Sequence, residues 1–380
     1  MCGIRVSSRL QDTTGTRRKV KMNTQNELSW SFFGIANQAA TDRPQRILKP
    51  RDYLWATDLD KAPIDVYHSM LGTQPTNPPN DRSMRKFHAG DIWEFYAYLV
   101  LYFAGILKSS QDHLAYQYPG LLKVTGRQDF LAGGVGDWKK AREAIALFPM
   151  TDPIKEYFSR LVDLFEKEFG TKQLKEIVIE CKSVGSFMFP RYEASGKPSK
   201  GHAKQIYHYL KAQNKPEGHV TYISKDDSLM LEFGVFLNDL KIEADYRASI
   251  ELLTNYYNTK TEPPKEELIV FQEDTGSFSK NWRVEYSNYL ELFYEFKEPR
   301  EYSDSVKGDV SLYNRSLKRM LMVEMGKTTP TGKPIQLTKN NLEGVEKMRA
   351  TFKDFSKYYS IALDFAKKGL IEEEETEGTI

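Results

Sequence analysis

Two cysteines in 380 residues, Cys2 and Cys181, exclude a disulfide framework and any four-cysteine metal site within one chain. A reducing, cytoplasmic compartment is the matching expectation. Long apolar runs are missing too. The nearest, Ile92 to Leu107, contains Glu94 and is bounded by Lys108, so it reads as a buried helix, and no membrane contact is expected. The chain does not open on the charged, apolar and small-residue regions of a secretory signal. Charge of one sign is also lacking: 54 basic against 52 acidic residues leave a net charge of +2. That is not the balance of a protein that coats nucleic acid, so any such contact must come from local patches. Two patches qualify, Arg17-Arg18-Lys19-Val20-Lys21 and the run from Lys197 to Lys204. Finally, Gly133-Gly134-Val135-Gly136 has no Lys-Ser or Lys-Thr behind it and is not a nucleotide loop.

What is present is the composition of a globular protein, 40% hydrophobic and 13% aromatic, with length for one large or two ordinary domains. The informative stretch is Lys175-Glu176-Ile177-Val178-Ile179-Glu180-Cys181-Lys182-Ser183. Its β-branched centre predicts a buried strand, in which residues two apart share a face. Glu180 and Lys182 then point one way, and Ile177, Ile179 and Cys181 point the other way into a core. The strand ends in a carboxylate beside an ammonium.

Three further pieces accompany it. Gly90-Asp91-Ile92-Trp93-Glu94 opens an apolar helix expected over about 90–107, after a Pro- and Asn-rich loop at 73–85. Ile92, Trp93, Phe95, Tyr96, Leu99, Val100, Phe103 and Ile106 cover most of that helix, which predicts burial on several sides around Glu94. His88, on the loop before it, is a rival ligand. Val124 to Leu131 reads as a second strand, with Asp129 three residues after Gly126, and Gln205 and Tyr209 stand four apart on one face of a helix.

The order of these pieces, Gly-x-x-x-Glu on a helix, Gly-x-x-Asp, Glu-x-Lys and Gln-x-x-x-Tyr, resembles the PD-(D/E)XK nucleases, and the last motif resembles their RecB-like branch of recombination, CRISPR-associated and phage exonucleases. The likeness covers about Leu48 to Phe236. It implies an α/β fold of the restriction-endonuclease type, a mixed central sheet flanked by helices with further helical regions. It implies Mg²⁺ or Mn²⁺ held by Asp129, Glu180, Glu94 and the carbonyl of Cys181, with Lys182 orienting water and Gln205 and Tyr209 positioning substrate. The implied substrate is DNA, attacked as an exonuclease more than as an endonuclease, with recombination or replication proteins as partners in a bacterial or phage-infected cell. Many relatives place iron–sulfur cysteines where this sequence has Ala62 and, near Trp282 to Tyr289, Glu285 and Ser287. Without thiolates no cluster can be held, and none is expected.

The expected layout is a polar, flexible lead-in over 1–47, a nuclease core over 48–238 with an insertion at about 133–170, a mainly helical region over 239–369 and an acidic tail over 370–380. In the insertion Lys139, Lys140 and Arg142 either touch phosphates or solvate a helix. Helices are expected at 138–147, 153–169, 246–257, 282–296 and 342–366, and a hairpin at 218–236 turning at Asp226-Asp227. Two other classes compete. A DNA-binding or assembly protein on the same fold needs none of Asp129, Glu180 and Lys182. Met1-Cys2-Gly3-Ile4 matches the start of glutamine amidotransferases, but Arg5 to Arg18 lacks the buried strand and turn that would seat a nucleophilic Cys2.

Overall fold

The computed structural model describes residues 9–11, 17–19, 47–186, 188–273 and 275–369. Cys2, most of the 1–47 lead-in and the 370–380 tail lie outside the described residues. Within the lead-in, β1 (Arg9–Gln11) pairs antiparallel with β2 (Arg17–Lys19). The chain divides into two compact units. The first takes the chain up to Asp60 together with Ser69–Thr73 and Pro78–Lys260, and the second takes Lys61–His68, Gln74–Asn77 and everything from Thr261.

The first unit is mixed α/β. After β3 (Tyr53–Trp55) comes a 3-10 turn at Ala56–Asp60 and then α1 (Pro63–Leu71), whose start belongs to the second unit. α2 runs from Asp81 to Phe103, and β4 (Leu107–Ser110), β5 (His113–Tyr116), β6 (Lys123–Arg127) and β7 (Phe130–Gly134) follow it. α3 (Trp138–Leu147) and α4 (Asp152–Phe169) form a helical pair, tied by Arg142 Nη2 to Asp163 at 2.7 Å and to Glu166 at 2.5 Å. Arg142 thus serves the helix pair. Then come β8 (Leu174–Val184), α5 (Phe189–Ser195), α6 (Lys200–Gln213), β9 (Glu217–Ser224), β10 (Met230–Phe236) and α7 (Leu240–Thr259).

Five strands form one sheet in the order β10-β9-β8-β7-β4, with β8 and β9 parallel and the other neighbours antiparallel. A second sheet, β3-β6-β5, stands apart from it. The parallel pair requires a crossover, and α6 supplies it, covering one face of β8. α2 covers the other, packing Ala97, Tyr98 and Leu101 against Phe130, Ala132, Ile177, Ile179 and Cys181. The mixed sheet flanked by helices is the expected fold class.

Several local expectations are corrected. Val124 to Leu131 is two strands in two sheets, because the chain turns at Gln128-Asp129. Gln128 is fully buried there, donating to Asp112 Oδ2 at 2.8 Å and accepting from Gln213 at 2.6 Å. α2 starts at Asp81, not Gly90, because Asn80 caps it by accepting from the Ser83 N–H at 3.0 Å. His88 therefore lies on the helix, and the helix is not buried all round, since Ile92 and Phe95 are each 55% exposed. Gly133 and Gly134 end β7 with φ of +145° and +88° at a register shift against β8. α7 joins the first unit, its Tyr246 hydroxyl 3.0 Å from His208 Nδ1 on α6.

His208 is fully buried and its pKa is pushed down to about 4 by that burial. The folded state stays neutral where the unfolded chain, with an ordinary pKa near 6.5, takes up a proton. Stability is therefore complete above pH about 6.5 and falls as pH drops toward 4, by about 3 kcal/mol from this group. Urea melts between pH 4.5 and 7.5 test this, and His208→Gln should flatten the profile.

In the second unit β11 (Ile269–Gln272) and β12 (Ser277–Lys280) make a hairpin. The stretch 282–296 breaks into α8 (Trp282–Glu285) and α9 (Leu290–Tyr294). α10 (Pro299–Glu324) is a helix of 26 residues, and 342–366 is two helices, α11 (Lys339–Thr351) and α12 (Phe355–Lys367). Its core gathers Phe278, Tyr302, Tyr313, Leu317, Met348 and Phe352. Ala62 packs with Tyr289 and Phe293, and Ser287 donates to the buried Asp65 at 2.9 Å. No helix among the described residues is long and apolar enough to cross a membrane.

Candidate active site

β8 places Glu180 and Lys182 on the face that α6 covers, and Lys182 donates to Glu180 Oε1. Glu180 is 1% exposed, so its charge has lost water and must be matched within the protein. α6 forms where it does because Ser199 caps it, accepting from the His202 N–H at 3.3 Å, and Asn214 ends it in the left-handed region. Its second turn lands on β8. Gln205 Nε2 donates to Glu180 Oε1 at 2.7 Å and to the Tyr209 hydroxyl at 3.2 Å, and that hydroxyl donates to the Arg127 carbonyl at 3.0 Å.

The Arg127 carbonyl sits just before the turn that carries Asp129. Gly126 explains its own position: a Cβ there would lie 2.8 Å from Tyr209 Cε1 and 3.0 Å from its hydroxyl. Only glycine lets the ring reach Arg127. Asp129 Oδ2 accepts from the Cys181 N–H at 2.8 Å, which brings the Asp129 carboxyl to the residue following Glu180. Glu94 approaches from α2, on the other face of the sheet, and accepts from the Gln111 side chain. Gly90, one turn earlier on α2, lies against Ser183 of β8, whose Oγ would be 3.4 Å from a Cβ there.

Of the predicted residues the structure therefore joins Lys182, Glu180, Gln205 and Tyr209 through side-chain hydrogen bonds and brings Asp129 to the Cys181 N–H next to them, with Glu94 close enough to feel the charge of Asp129. It leaves His88 exposed, more than a turn before Glu94 on the same helix. The Cys181 thiol packs into the α2 face, and its pKa is pushed up by burial and then by Asp129 and Glu180. Gln111 was not foreseen; it has a φ of +60° at a turn after β4, a signal only in retrospect. His202 was also missed, though it precedes Gln205 by one turn. Its Nδ1 lies 2.7 Å from the hydroxyl of Tyr222, the residue paired with Lys182 across β8 and β9.

The electrostatics follow from burial and crowding. Glu180 is pushed up to about 8, by burial first, with Lys182 opposing and Asp129 and Glu94 adding. Glu94 rises to about 7, by burial and then by the charge of Asp129. Asp129 is raised as well, burial outweighing Lys182 and the Cys181 N–H. Lys182 is held above its ordinary value although burial works against it, because Glu180 and Asp129 attract its charge. Asp129 thus raises both Glu94 and Glu180, and the cations Lys182 and Arg127 only partly offset the burial of the three carboxyls.

Glu180 Oε2 is buried with no hydrogen-bond partner. An orphaned carboxylate oxygen beside Asp129 fits a hard divalent cation, and an all-oxygen donor set suits Mg²⁺ or Mn²⁺ better than a soft ion. No three His, Cys, Asp or Glu side chains among the described residues form a ready-made cage. An ion here would draw on Asp129 and Glu180 with backbone or solvent oxygens.

No protein-family model matches the chain, and no characterised protein matches it by sequence. Among solved structures it is similar to SSO0001, at 16% identity and a TM-score of 0.34, over 59% of this chain and 87% of that one. It is also similar to LHK-Exo, an alkaline exonuclease from Laribacter hongkongensis, at 14% identity and a TM-score of 0.32, over 55% of this chain and 91% of that one. A complex of LHK-Exo with dAMP matches at 13% identity and a TM-score of 0.32, over 55% of this chain and 91% of that one. The side-chain geometry, not these likenesses, carries the functional reading.

Proposed function

We propose that the chain is a metal-dependent phosphodiesterase acting on DNA, of the PD-(D/E)XK type its motifs resemble. The observation that carries this is the meeting of Asp129, Glu180 and Lys182 at the end of β8, with Glu180 Oε2 left without a partner. Asp129 and Glu180, with the Cys181 carbonyl and Glu94 at the margin, would hold Mg²⁺ or Mn²⁺. A divalent ion supplies positive charge beside the phosphate and makes water more acidic.

The chain's own groups do the rest. Glu180 Oε1 receives Lys182 and Gln205, which fixes the carboxylate and leaves its second oxygen free to bind. Lys182, whose side chain is 25% exposed, orients the attacking water with its ammonium and offsets negative charge gathering on the phosphoryl oxygens. Gln205 and Tyr209 act through Glu180 and the Arg127 carbonyl and are positioning residues. Gln205→Ala and Tyr209→Phe should each lower the rate of DNA cleavage by about 10- to 100-fold, the usual cost of losing an outer support of a metal ligand. Single-turnover rates against Mn²⁺ concentration check this, and the loss should shrink in part at high Mn²⁺.

End-labelled linear DNA with Mg²⁺ or Mn²⁺ tests the activity. An exonuclease degrades the linear form and leaves covalently closed circles intact, whereas nicking of the circles makes the enzyme an endonuclease. DNA binding in EDTA with no cleavage in Mn²⁺ would favour a non-catalytic DNA-binding protein.

A further inference from the structure

The exposed face of α2 carries aromatic rings that the chemistry above does not use. Phe95 and Tyr98 stack with ring centroids 6.2 Å apart and planes 9° apart, and Tyr98 and Tyr102 stack at 5.9 Å and 8°. Phe95 is 55% exposed and Tyr102 43% exposed, although large apolar rings ordinarily seek cover. The row borders the carboxylate cluster at two points. Phe95 follows Glu94 in the helix, and Tyr98 lies 6.4 Å from the ring of Phe130, the residue after Asp129.

A cationic pair flanks the cluster on the other side. Lys225 follows β9, its N–H bonded to the carbonyl of Val184 at the end of β8, and its ammonium reaches the Lys86 carbonyl at 3.5 Å. Lys86 is exposed on α2. At a rise of about 1.5 Å per residue, Lys86 and Tyr102 each stand about 12 Å along the helix from Glu94, on opposite sides.

We propose that α2 is a track for an unpaired DNA strand, its bases lying on the exposed Phe95 and Tyr102 rings, with the half-buried Tyr98 stacked between them, and its backbone held by Lys86 and Lys225. Near-parallel exposed rings suit any base, because every base has a π face, and they have no use for a duplex whose bases are already stacked. Two ammonium groups that repel each other, with Asp226 as the acidic neighbour of Lys225, would welcome a phosphate. This rests on the phosphodiesterase reading and adds the substrate class to it: single strands or frayed ends.

The test separates the two. Anisotropy of fluorescein-labelled oligo(dT), and of a labelled blunt hairpin duplex, is titrated with the full chain in EDTA, where no cleavage occurs. Phe95→Ala and Tyr102→Ala should each weaken oligo(dT) binding by about 5- to 100-fold and leave the hairpin within twofold. Phe95→Trp should restore it, and Lys86→Ala with Lys225→Ala should flatten the salt dependence. Unchanged oligo(dT) affinity in the alanine variants overturns the track and assigns the stripe to a protein contact; equal losses on both DNAs, or no binding by wild type, overturn it as well. Ring-dependent binding without cleavage in Mn²⁺ keeps the track and rejects the phosphodiesterase.

Discussion

Lys182→Ala should lower Mn²⁺-dependent cleavage of DNA by about a hundred- to a thousandfold, the loss seen when one preorganised charge is removed from a developing anion. The fold should survive. Burial raises the Glu180 carboxyl and Lys182 opposes that rise, so without the lysine Glu180 takes up a proton more readily and little unmatched charge is left. The melting temperature should move by no more than roughly 2–4 °C, the shift that about 1 kcal/mol produces in a domain of this size. Mn²⁺ binding followed by calorimetry should persist at pH 8.5, where the carboxyls of Asp129, Glu180 and Glu94, all still present, ionise more readily. Activity lost with metal binding kept is the signature of a group acting on water and phosphate. Wild-type rates in Lys182→Ala would remove this cluster from the chemistry.

Gly133→Ala should have the largest effect on stability, on the order of 4 kcal/mol, combining strain at a left-handed backbone with overpacking. Its φ is +145°, and a Cβ would lie 2.6 Å from the Lys175 carbonyl oxygen and 2.8 Å from the Glu176 Cα, atoms of β8 that cannot swing aside. Gly133 N–H also bonds the Ile106 carbonyl at 2.9 Å, so β7 is held from both neighbours. Gly120→Ala is the control: φ is +76° there, but nothing lies within 4 Å, so only about 1 kcal/mol of backbone strain is expected. Urea denaturation of both variants decides it; similar midpoints would mean that β7 and β8 are further apart than described.

The cluster was legible because its parts obey local rules. Period-two alternation put Glu180 and Lys182 on one face, and four-residue spacing put Gln205 and Tyr209 on one side of a helix. What joined them was not local. Nothing in Val124 to Leu131 says that the chain leaves one sheet for another at Gln128, since a polar pair inside an apolar run looks the same whether it bends or alternates. The exposed face of α2 was hidden because periodicity counts apolar residues and cannot tell rings packed in a core from rings offered to a ligand. α10 was missed because Ser303, Asp304, Gly308 and Asn314 obscure a stripe of Tyr302, Val306, Tyr313, Leu317 and Leu321 that is buried in the second unit. The break in 342–366 has a packing cause: Phe352, extended at φ −109° and ψ 108°, and Phe355 both enter the core, which one straight helix would not allow.

The crossover from β8 through α6 to β9 has a further consequence, for the order in which the protein acquires its chemistry. Strands joined in parallel must wait for the whole intervening chain, so their contacts close late in folding. Gln205 meets Glu180 only when α6 docks, and Tyr209 meets Arg127 across 82 positions at the same moment. A nascent chain stalled before α6 would carry Asp129, Glu180 and Lys182 on paired β7 and β8 but without the supports from Gln205 and Tyr209. Any activity of the cluster would then reach its full rate only once the parallel strands have closed.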